Sequence, residues 1–269
     1  MQPSTACGHN LSGVAAVELN YRLDGPDDAP VLVLGSSLGT TGAMWDPQVP
    51  AFSKHFRMLR YDTRGHGGSP VPPGPYSMDE LGSDVLALLD RLDIGRASFC
   101  GLSIGGMIGM WVASEAPERI ERLVLCCTVP HFPPPDLWDE RVVAVRAQGM
   151  GPMVEPALDR WLPADVRRAR PDLEEFLRAI IAATPPEGYA GCCEAIRDMD
   201  LRPRLAAISM PTLVVAASDD PSTPKDKVRP IAEAVRDARY VEIAGAAHIA
   251  NVAQPEAFDA AVLEFLLQP

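Results

Sequence analysis

Short apolar runs alternate with longer amphipathic stretches along much of the chain. The runs, apolar on both faces as in a buried parallel sheet, lie at residues 31–34, 57–61, 97–100, 122–127, 212–217 and 239–243. An earlier segment, residues 14–23, partly alternates and is interpreted as a strand or hairpin. The stretches between runs predict helices at residues 78–92, 104–116, 227–237 and 255–267. This alternation predicts the α/β class, a mostly parallel twisted sheet flanked by helices.

The alternation stops between about residues 130 and 201, a region that opens on three successive prolines. It has no convincing strand, and its helix-like pieces lie at residues 137–148, 153–161, 171–183 and 188–198. A helical insertion between two halves of a sheet predicts a cap over the carboxyl edge, where open α/β sheets bind ligands. We therefore divide the chain into a first core part (1–129), a helical cap (130–200) and a second core part (201–269).

The pentapeptide Gly101-Leu102-Ser103-Ile104-Gly105 follows a predicted strand and opens a predicted helix. In this context the G-x-S-x-G pattern indicates a nucleophile elbow, a sharp turn that lifts the serine hydroxyl above the sheet. Glycines fit beside the serine because any Cβ there would clash with the strand or the helix. The helix dipole also favours negative charge at this end. Ser103 is therefore the candidate nucleophile.

A serine hydroxyl needs a base to take its proton, and in this arrangement the acid and then the histidine follow the serine along the chain. Only two histidines lie downstream. His131 is at the entry to the cap, whereas His248 follows the last predicted strand, so we expect His248 to be the base. The acid should follow the preceding strand, where Asp219 and Asp220 are adjacent and cannot both face the imidazole. We favour Asp220, and the choice between the two stays open.

An oxyanion hole needs two backbone N–H groups that point at the developing charge. One should come from Ile104, the residue after the candidate nucleophile. The other should come from the loop after the strand at residues 31–34, Gly35-Ser36-Ser37-Leu38-Gly39. Within this loop we choose Leu38 as the second donor.

A dense polar turn, residues 62–67, follows the strand at residues 57–61. We interpret this turn as structural, with Asp62 and Arg64 bracing a loop near the active site. His66 could be mistaken for the base, but it precedes the serine and lies outside the expected order. Because neither a Walker A motif nor a G-x-G-x-x-G after a strand occurs, we expect no cofactor, and we expect no metal.

Charge and composition exclude several function classes. The 269 residues carry 24 basic and 36 acidic side chains, a formal net charge of -12, which argues against non-specific nucleic-acid binding and against a polybasic membrane anchor. No apolar run approaches a membrane helix, and residues 1–10 show no secretory leader. Six cysteines without a C-x-x-C spacing predict reduced thiols and a cytoplasmic protein. The oligomeric state stays open, a homo-oligomer included.

Further motifs extend well beyond the candidate triad. They are Ser36 to Thr40 with Met44-Trp45, residues 59–67, Gly74-Pro75-Tyr76, residues 99–106, the cap segment at residues 193–198, and His248-Ile249-Ala250-Asn251. Along nearly its whole length the chain resembles the α/β-hydrolase superfamily and, more narrowly, the 3-oxoadipate enol-lactone hydrolases. This resemblance implies hydrolysis of a carboxylated enol-lactone to 3-oxoadipate through an acyl-enzyme.

The small anionic lactone that this resemblance implies carries a side-chain carboxylate, so a local positive group in the cleft must receive it. The basic residues of the cap are all arginine, which can bind a carboxylate bidentately. They are Arg141, Arg146, Arg160, Arg167, Arg168, Arg170, Arg178 and Arg197. Trp138 and Arg141 lie just after the cap entry, and we expect these two residues to line the pocket.

Two alternative functions stay open. One is a general carboxylesterase, or a cofactor-free perhydrolase or haloperoxidase-like enzyme, on the same triad. The other is a non-catalytic ligand-binding protein with this fold. Such binding proteins often lose a member of the triad, whereas a serine, an acid and a histidine are all present here in the expected order. The geometric roles of these three residues therefore favour an enzyme.

Overall fold

The computed structural model describes residues 16–268. Residues 1–15 lie outside this range. They include Cys7, the start of the segment at residues 14–23, and residues 1–10, in which we expect no leader. Seven strands form one sheet in the order β1-β3-β2-β4-β5-β6-β7. They are β1 (Tyr21–Asp24), β2 (Val31–Gly35), β3 (Arg57–Tyr61), β4 (Ala97–Leu102), β5 (Ile120–Cys126), β6 (Thr212–Ala217) and β7 (Arg239–Ile243). Only β1 is antiparallel to its neighbour, so the predicted mostly parallel sheet is confirmed.

Helices lie between most of these strands and after β7. They are α1 (Val49–Phe52), α2 (Met78–Arg91), α3 (Ile104–Glu115), α4 (Asp136–Gln148), α5 (Gly151–Trp161), α6 (Ala164–Ala169), α7 (Pro171–Ala183), α8 (Pro186–Asp198), α9 (Lys225–Ala234), α10 (Ala250–Ala253) and α11 (Pro255–Leu266). Shorter 3₁₀ segments lie at Gly42–Gln48, Pro117–Arg119 and Arg202–Ala207. A capping box between Ser77 and Glu80 starts α2, which satisfies two otherwise unpaired backbone donors.

The centre of the sheet is buried on both faces. Every residue of β4 and of β6 is buried, because helices cover the two sides of a parallel sheet. Within this core, Phe99 and Leu123 pack at a paired position of adjacent strands, and neither is exposed at all. The apolar runs of the sequence are therefore the strands of the core, and their carboxyl ends form one edge of the sheet.

Helices α4 to α8 form the predicted insertion, between β5 and β6. Its two ends lie side by side, since the Leu201 N–H donates to the Pro130 carbonyl at 2.7 Å and His131 forms an isolated β-bridge with Asp200. The short polar helix α6 was not predicted. The bounds 130–200 of the cap domain stay a prediction. Within residues 16–268, no helix is both long and apolar enough to cross a membrane.

Candidate active site

Ser103 lies in a strained turn between β4 and α3. Its φ of 60° and ψ of -121° place a non-glycine residue in a region that costs about 1–3 kcal/mol. The turn closes only because its neighbours lack side chains. A Cβ on Gly101 would lie 2.2 Å from the Gly105 carbonyl oxygen, and a Cβ on Gly105 would lie 2.3 Å from the carbonyl of Gly35. The strand–turn–helix arrangement expected for a nucleophile elbow is therefore present.

Three side chains from three loops meet at the carboxyl edge of the sheet. The Ser103 hydroxyl lies 2.9 Å from His248 Nε2, and His248 Nδ1 lies 2.9 Å from Asp220 Oδ2. With the proton on Nδ1, the imidazole donates to the carboxylate and accepts from the serine hydroxyl. His248 is only 4% exposed, so bulk water competes little for these bonds. This geometry suits proton transfer from the serine hydroxyl to the imidazole.

The two adjacent aspartates after β6 differ sharply in their surroundings. Asp219 is exposed and accepts a hydrogen bond from the Ser218 hydroxyl. Asp220 is buried and also accepts from the Thr223 N–H and hydroxyl. Burial alone would raise the pKa of Asp220, but the charge and hydrogen bond of His248, together with the Thr223 bonds, outweigh it and lower the pKa. Asp220 therefore stays ionised, as an acid that orients the imidazole must.

The loop after β2 faces the elbow and is held rigidly. The Gly105 N–H donates to the Ser36 carbonyl at 3.1 Å, and the Thr40 N–H donates to the Ser37 carbonyl at 3.1 Å. Within residues 16–268, the N–H groups of Leu38 and Ile104 donate to no other group, so both are available to a ligand, and Leu38 lines the cavity above Ser103. The loop is thus suited to supply one of two oxyanion donors.

The polar turn at residues 62–67 braces this loop through two groups. Asp62 accepts from the Gly42 N–H at 2.8 Å, and His66 Nε2 accepts from the Gly39 N–H at 3.0 Å. Arg64 instead forms buried ion pairs with Asp84 and Glu80 on α2. The histidine must be neutral to accept a hydrogen bond, and burial lowers its pKa to about 4. His66 therefore positions the loop and does not contact Ser103.

The pKa of His66 predicts a specific loss of stability in acid. An unfolded histidine titrates near 6.5, so between about pH 6.5 and 4 the unfolded chain binds a proton that folded His66 does not. The stabilisation is complete above the unfolded pKa and is lost as the pH falls, by about 3 kcal/mol at pH 4. We expect the difference in free energy of unfolding between wild type and His66→Gln to shrink by this amount from pH 7 to pH 4, measured by urea denaturation.

Asp259 titrates in the same range with the opposite sign, because burial raises its pKa to about 6. It is present in both proteins, so its contribution cancels in the difference between them. A difference that stays constant from pH 7 to pH 4 would contradict the assignment of a neutral buried imidazole at position 66.

A cavity of about 260 Å³ lies between the triad and the insertion. Its charged lining residues, among those that the structure describes, are Arg141, Arg160 and Lys227, and no carboxylate side chain lines it. The predicted Trp138 lines it too, donates its indole N–H to the Phe132 carbonyl, and packs under the Arg141 guanidinium, 4.7 Å from the ring centroid. The cavity is thus cationic in a protein of net charge -12.

The eight arginines of the insertion fall into three groups. Five form ion pairs with nearby carboxylates and so are structural: Arg146, Arg167, Arg170, Arg178 and Arg197. Arg168 is exposed and does not line the cavity. Within residues 16–268, the cavity residues Arg141 and Arg160 have no ion-pair partner. Burial and the nearby charge of Arg141 lower the pKa of Arg160. Two like charges held together in a cleft favour an anionic ligand.

Sequence reasoning missed Arg160 as a distinct site residue. It lies on α5, and its backbone carbonyl accepts the N–H of His248 at 3.3 Å. That bond joins the insertion directly to the loop that carries the imidazole. The ion-pair partners of an arginine are set by tertiary contacts, and a sequence does not show which arginines have carboxylate neighbours. Among residues 16–268, no group of three or more histidine, cysteine or acidic side chains could hold a metal ion.

A nucleophile turn, an imidazole and a buried carboxylate at the carboxyl edge of a mostly parallel sheet define a serine hydrolase of the α/β-hydrolase fold. The chain belongs to this family. A family model described as alpha/beta hydrolase fold matches residues 30–166, and a model described as TAP-like protein matches residues 187–269.

Within that family, the chain is similar to enol-lactonases. It is 41% identical over 246 residues to 3-oxoadipate enol-lactonase 2 of Acinetobacter baylyi, across 91% of this chain and 92% of that protein. It is 35% identical to 3-oxoadipate enol-lactonase 1 of the same organism, across 89% and 90%. The crystal structure of the enol-lactonase from Burkholderia xenovorans superposes with a TM-score of 0.92 at 45% identity, across 94% of this chain and 97% of that one.

Proposed function

We propose that this protein hydrolyses 3-oxoadipate enol-lactone to 3-oxoadipate. The observation that carries the proposal is the Ser103–His248–Asp220 network beneath a cavity whose charged lining residues, within residues 16–268, are all cationic. The network supplies the chemistry of ester cleavage, and the cations suit a substrate with a free carboxylate. The similarity to named 3-oxoadipate enol-lactonases supports the same substrate.

Acylation follows from the geometry of the three side chains. His248 Nε2 takes the hydroxyl proton while Ser103 Oγ bonds to the lactone carbonyl carbon. The N–H groups of Leu38 and Ile104 stabilise the negative charge that forms on the carbonyl oxygen. Asp220, ionised and hydrogen-bonded to Nδ1, stabilises the imidazolium. These steps leave a tetrahedral intermediate attached to Ser103.

Collapse of that intermediate breaks the ring C–O bond and expels an enolate, which is a better leaving group than an alkoxide. His248 returns the proton to this enolate, which becomes the ketone, so the reverse reaction is unfavourable. Because the substrate is a ring, the leaving group stays attached to the acyl-enzyme. Water then attacks the acyl carbon, with His248 as base. The whole product, 3-oxoadipate, is released, and the Ser103 hydroxyl is regenerated.

Arg141 and Arg160 are the proposed receivers of the substrate carboxylate. Both line the cavity that contains Ser103, and neither is neutralised by a carboxylate among residues 16–268. Arg141 is held in place over the Trp138 ring, and Arg160 is held by the helix that contacts the His248 loop. The Arg141 guanidinium, stacked on that ring, loses little side-chain entropy when it binds the anion.

Substitution of either arginine should change substrate selectivity more than chemistry. We expect Arg141→Ala and Arg160→Ala each to lower kcat/KM for the enol-lactone about 10- to 100-fold, mainly through KM, since a hydrogen bond to a charged group contributes roughly 1.5–3 kcal/mol. The methyl ester of the same lactone lacks the carboxylate charge, so its kcat/KM should change little. Arg168→Ala is the matched control, because Arg168 is exposed and lies outside the cavity. Equal losses on both substrates would rule out a carboxylate role.

A panel of substrates tests the function itself. We expect the wild type to convert the enol-lactone to 3-oxoadipate with a kcat/KM at least about 100-fold above that for p-nitrophenyl acetate, because only the lactone uses the cationic end of the cavity. A higher value for simple esters would favour a general carboxylesterase, and efficient peracid formation from acetate and hydrogen peroxide would favour a perhydrolase.

The five described cysteines are free and buried, a state typical of a reducing compartment, and on this ground we place the activity in the cytoplasm.

A further inference from the structure

Two adjacent serines in the loop after β2 have different environments. The Ser36 hydroxyl donates to the Thr41 carbonyl at 3.1 Å and does not line the cavity. Ser37 is only 3% exposed and lines the cavity together with Ser103 and His248. Within residues 16–268, its hydroxyl has no hydrogen-bond partner, and its oxygen is accessible from the cavity rather than sealed in the core. The Ser37 hydroxyl is therefore available to donate a hydrogen bond to a ligand in the cavity that contains Ser103.

The backbone that carries this hydroxyl is fixed. The Ser37 carbonyl accepts both the Thr40 N–H at 3.1 Å and the Thr40 hydroxyl at 2.7 Å. The loop is tied to the elbow through the Gly105 N–H and the Ser36 carbonyl. The side chain of Ser37 can still rotate about one torsion, so its hydroxyl can turn towards a ligand while the backbone stays in place.

We propose that the Ser37 hydroxyl is a third donor to the oxyanion, beside the N–H groups of Leu38 and Ile104. It precedes the Leu38 donor in the chain, and its free hydroxyl can turn to donate to the carbonyl oxygen, a hydrogen bond that strengthens as negative charge develops there. A donor that is preorganised in this way stabilises the transition state more than the ground state. The proposal rests on ester cleavage at Ser103, but it does not depend on which lactone is the natural substrate.

Substitution of Ser37 tests this role on p-nitrophenyl acetate, which the triad would cleave even if the enol-lactone were not the substrate. We expect Ser37→Ala to lower kcat about 10- to 100-fold with little change in KM, somewhat less than the loss of a backbone oxyanion donor. The affinity for a trifluoromethyl ketone, which forms a tetrahedral adduct with Ser103, should fall by the same factor. Ser37→Thr keeps a hydroxyl and should recover most of both losses.

Ser36→Ala is the matched comparison, because it removes a hydroxyl of the same loop that already has a partner. It should lower the melting temperature more than Ser37→Ala does, and it should lower kcat less. A kcat for Ser37→Ala within about twofold of wild type would overturn the proposal. It would also be overturned by equal losses in Ser37→Ala and Ser37→Thr, or by a change confined to KM.

Discussion

Replacement of Ser103 by alanine is expected to lower kcat for the enol-lactone about 10⁴- to 10⁶-fold, the loss typical when a triad nucleophile is removed. Among residues 16–268, Ser103 is the side chain that hydrogen-bonds to His248 Nε2, so its loss leaves the base without a nucleophile to activate. Alanine keeps the same Cβ at a φ of 60°, so the strain of the turn is unchanged and the variant should fold. Steady-state turnover, with circular dichroism as the check on folding, measures the effect.

Covalent labelling provides an independent test of the same residue. A fluorophosphonate should form one adduct with the wild type, and peptide mapping should place it on Ser103. The Ser103→Ala protein should remain unlabelled. A wild type that is not labelled would favour the non-catalytic binding protein, and labelling that persists in Ser103→Ala would place the nucleophile elsewhere.

The second large effect is expected at the acid. Asp220→Asn should lower kcat about 10⁴-fold, because an amide that donates to Nδ1 would hold the imidazole in the wrong tautomer to accept the serine proton. The size of the pocket is unchanged, so KM should change far less than kcat. Measurements of kcat across a range of pH, with urea denaturation as the check on folding, would separate this effect from a loss of structure.

The neighbouring carboxylate gives the control for that experiment. Asp219 is exposed and contacts Ser218 but not His248. Asp219→Asn removes the same charge one residue away and should leave kcat within about twofold of wild type, because charges in water are strongly screened. The reverse result, with Asp219→Asn inactive and Asp220→Asn active, would contradict the observed network.

Much of the fold follows from local sequence pattern, and the departures have physical causes. The runs that became the central strands β4 and β6 are buried throughout, a signal that burial between helix layers imposes, whereas the edge strand β7 is mostly half-buried. The helix predicted at residues 227–237 is α9, Lys225–Ala234. It ends earlier because its last predicted residues form the turn that leads into β7. Helix α6 has only 6 residues and no apolar stripe, so its existence depends on packing within the insertion and leaves little trace in the sequence.

The candidate site could be predicted only where chain order constrains it. Order and strand position indicate Ser103 and His248, but periodicity cannot separate Asp219 from Asp220, since the loop conformation decides which of them is buried. Among the described residues, the lack of an ion-pair partner for Arg160 and of a hydrogen-bond partner for the Ser37 hydroxyl depends on which groups the fold brings near them. Such features come from tertiary contacts, so a single sequence does not reveal them.

The rate of hydrolysis of 3-oxoadipate enol-lactone by the wild-type protein tests the central claim most directly. The account predicts a kcat/KM of at least about 10⁴ M⁻¹s⁻¹, within the range of ordinary enzymes on their own substrates. It also predicts a value at least about tenfold lower for the methyl ester of the same lactone, which cannot form an ion pair with Arg141 and Arg160. Hydrolysis of the enol-lactone no faster than with Ser103→Ala, in a preparation that cleaves p-nitrophenyl acetate, would contradict it.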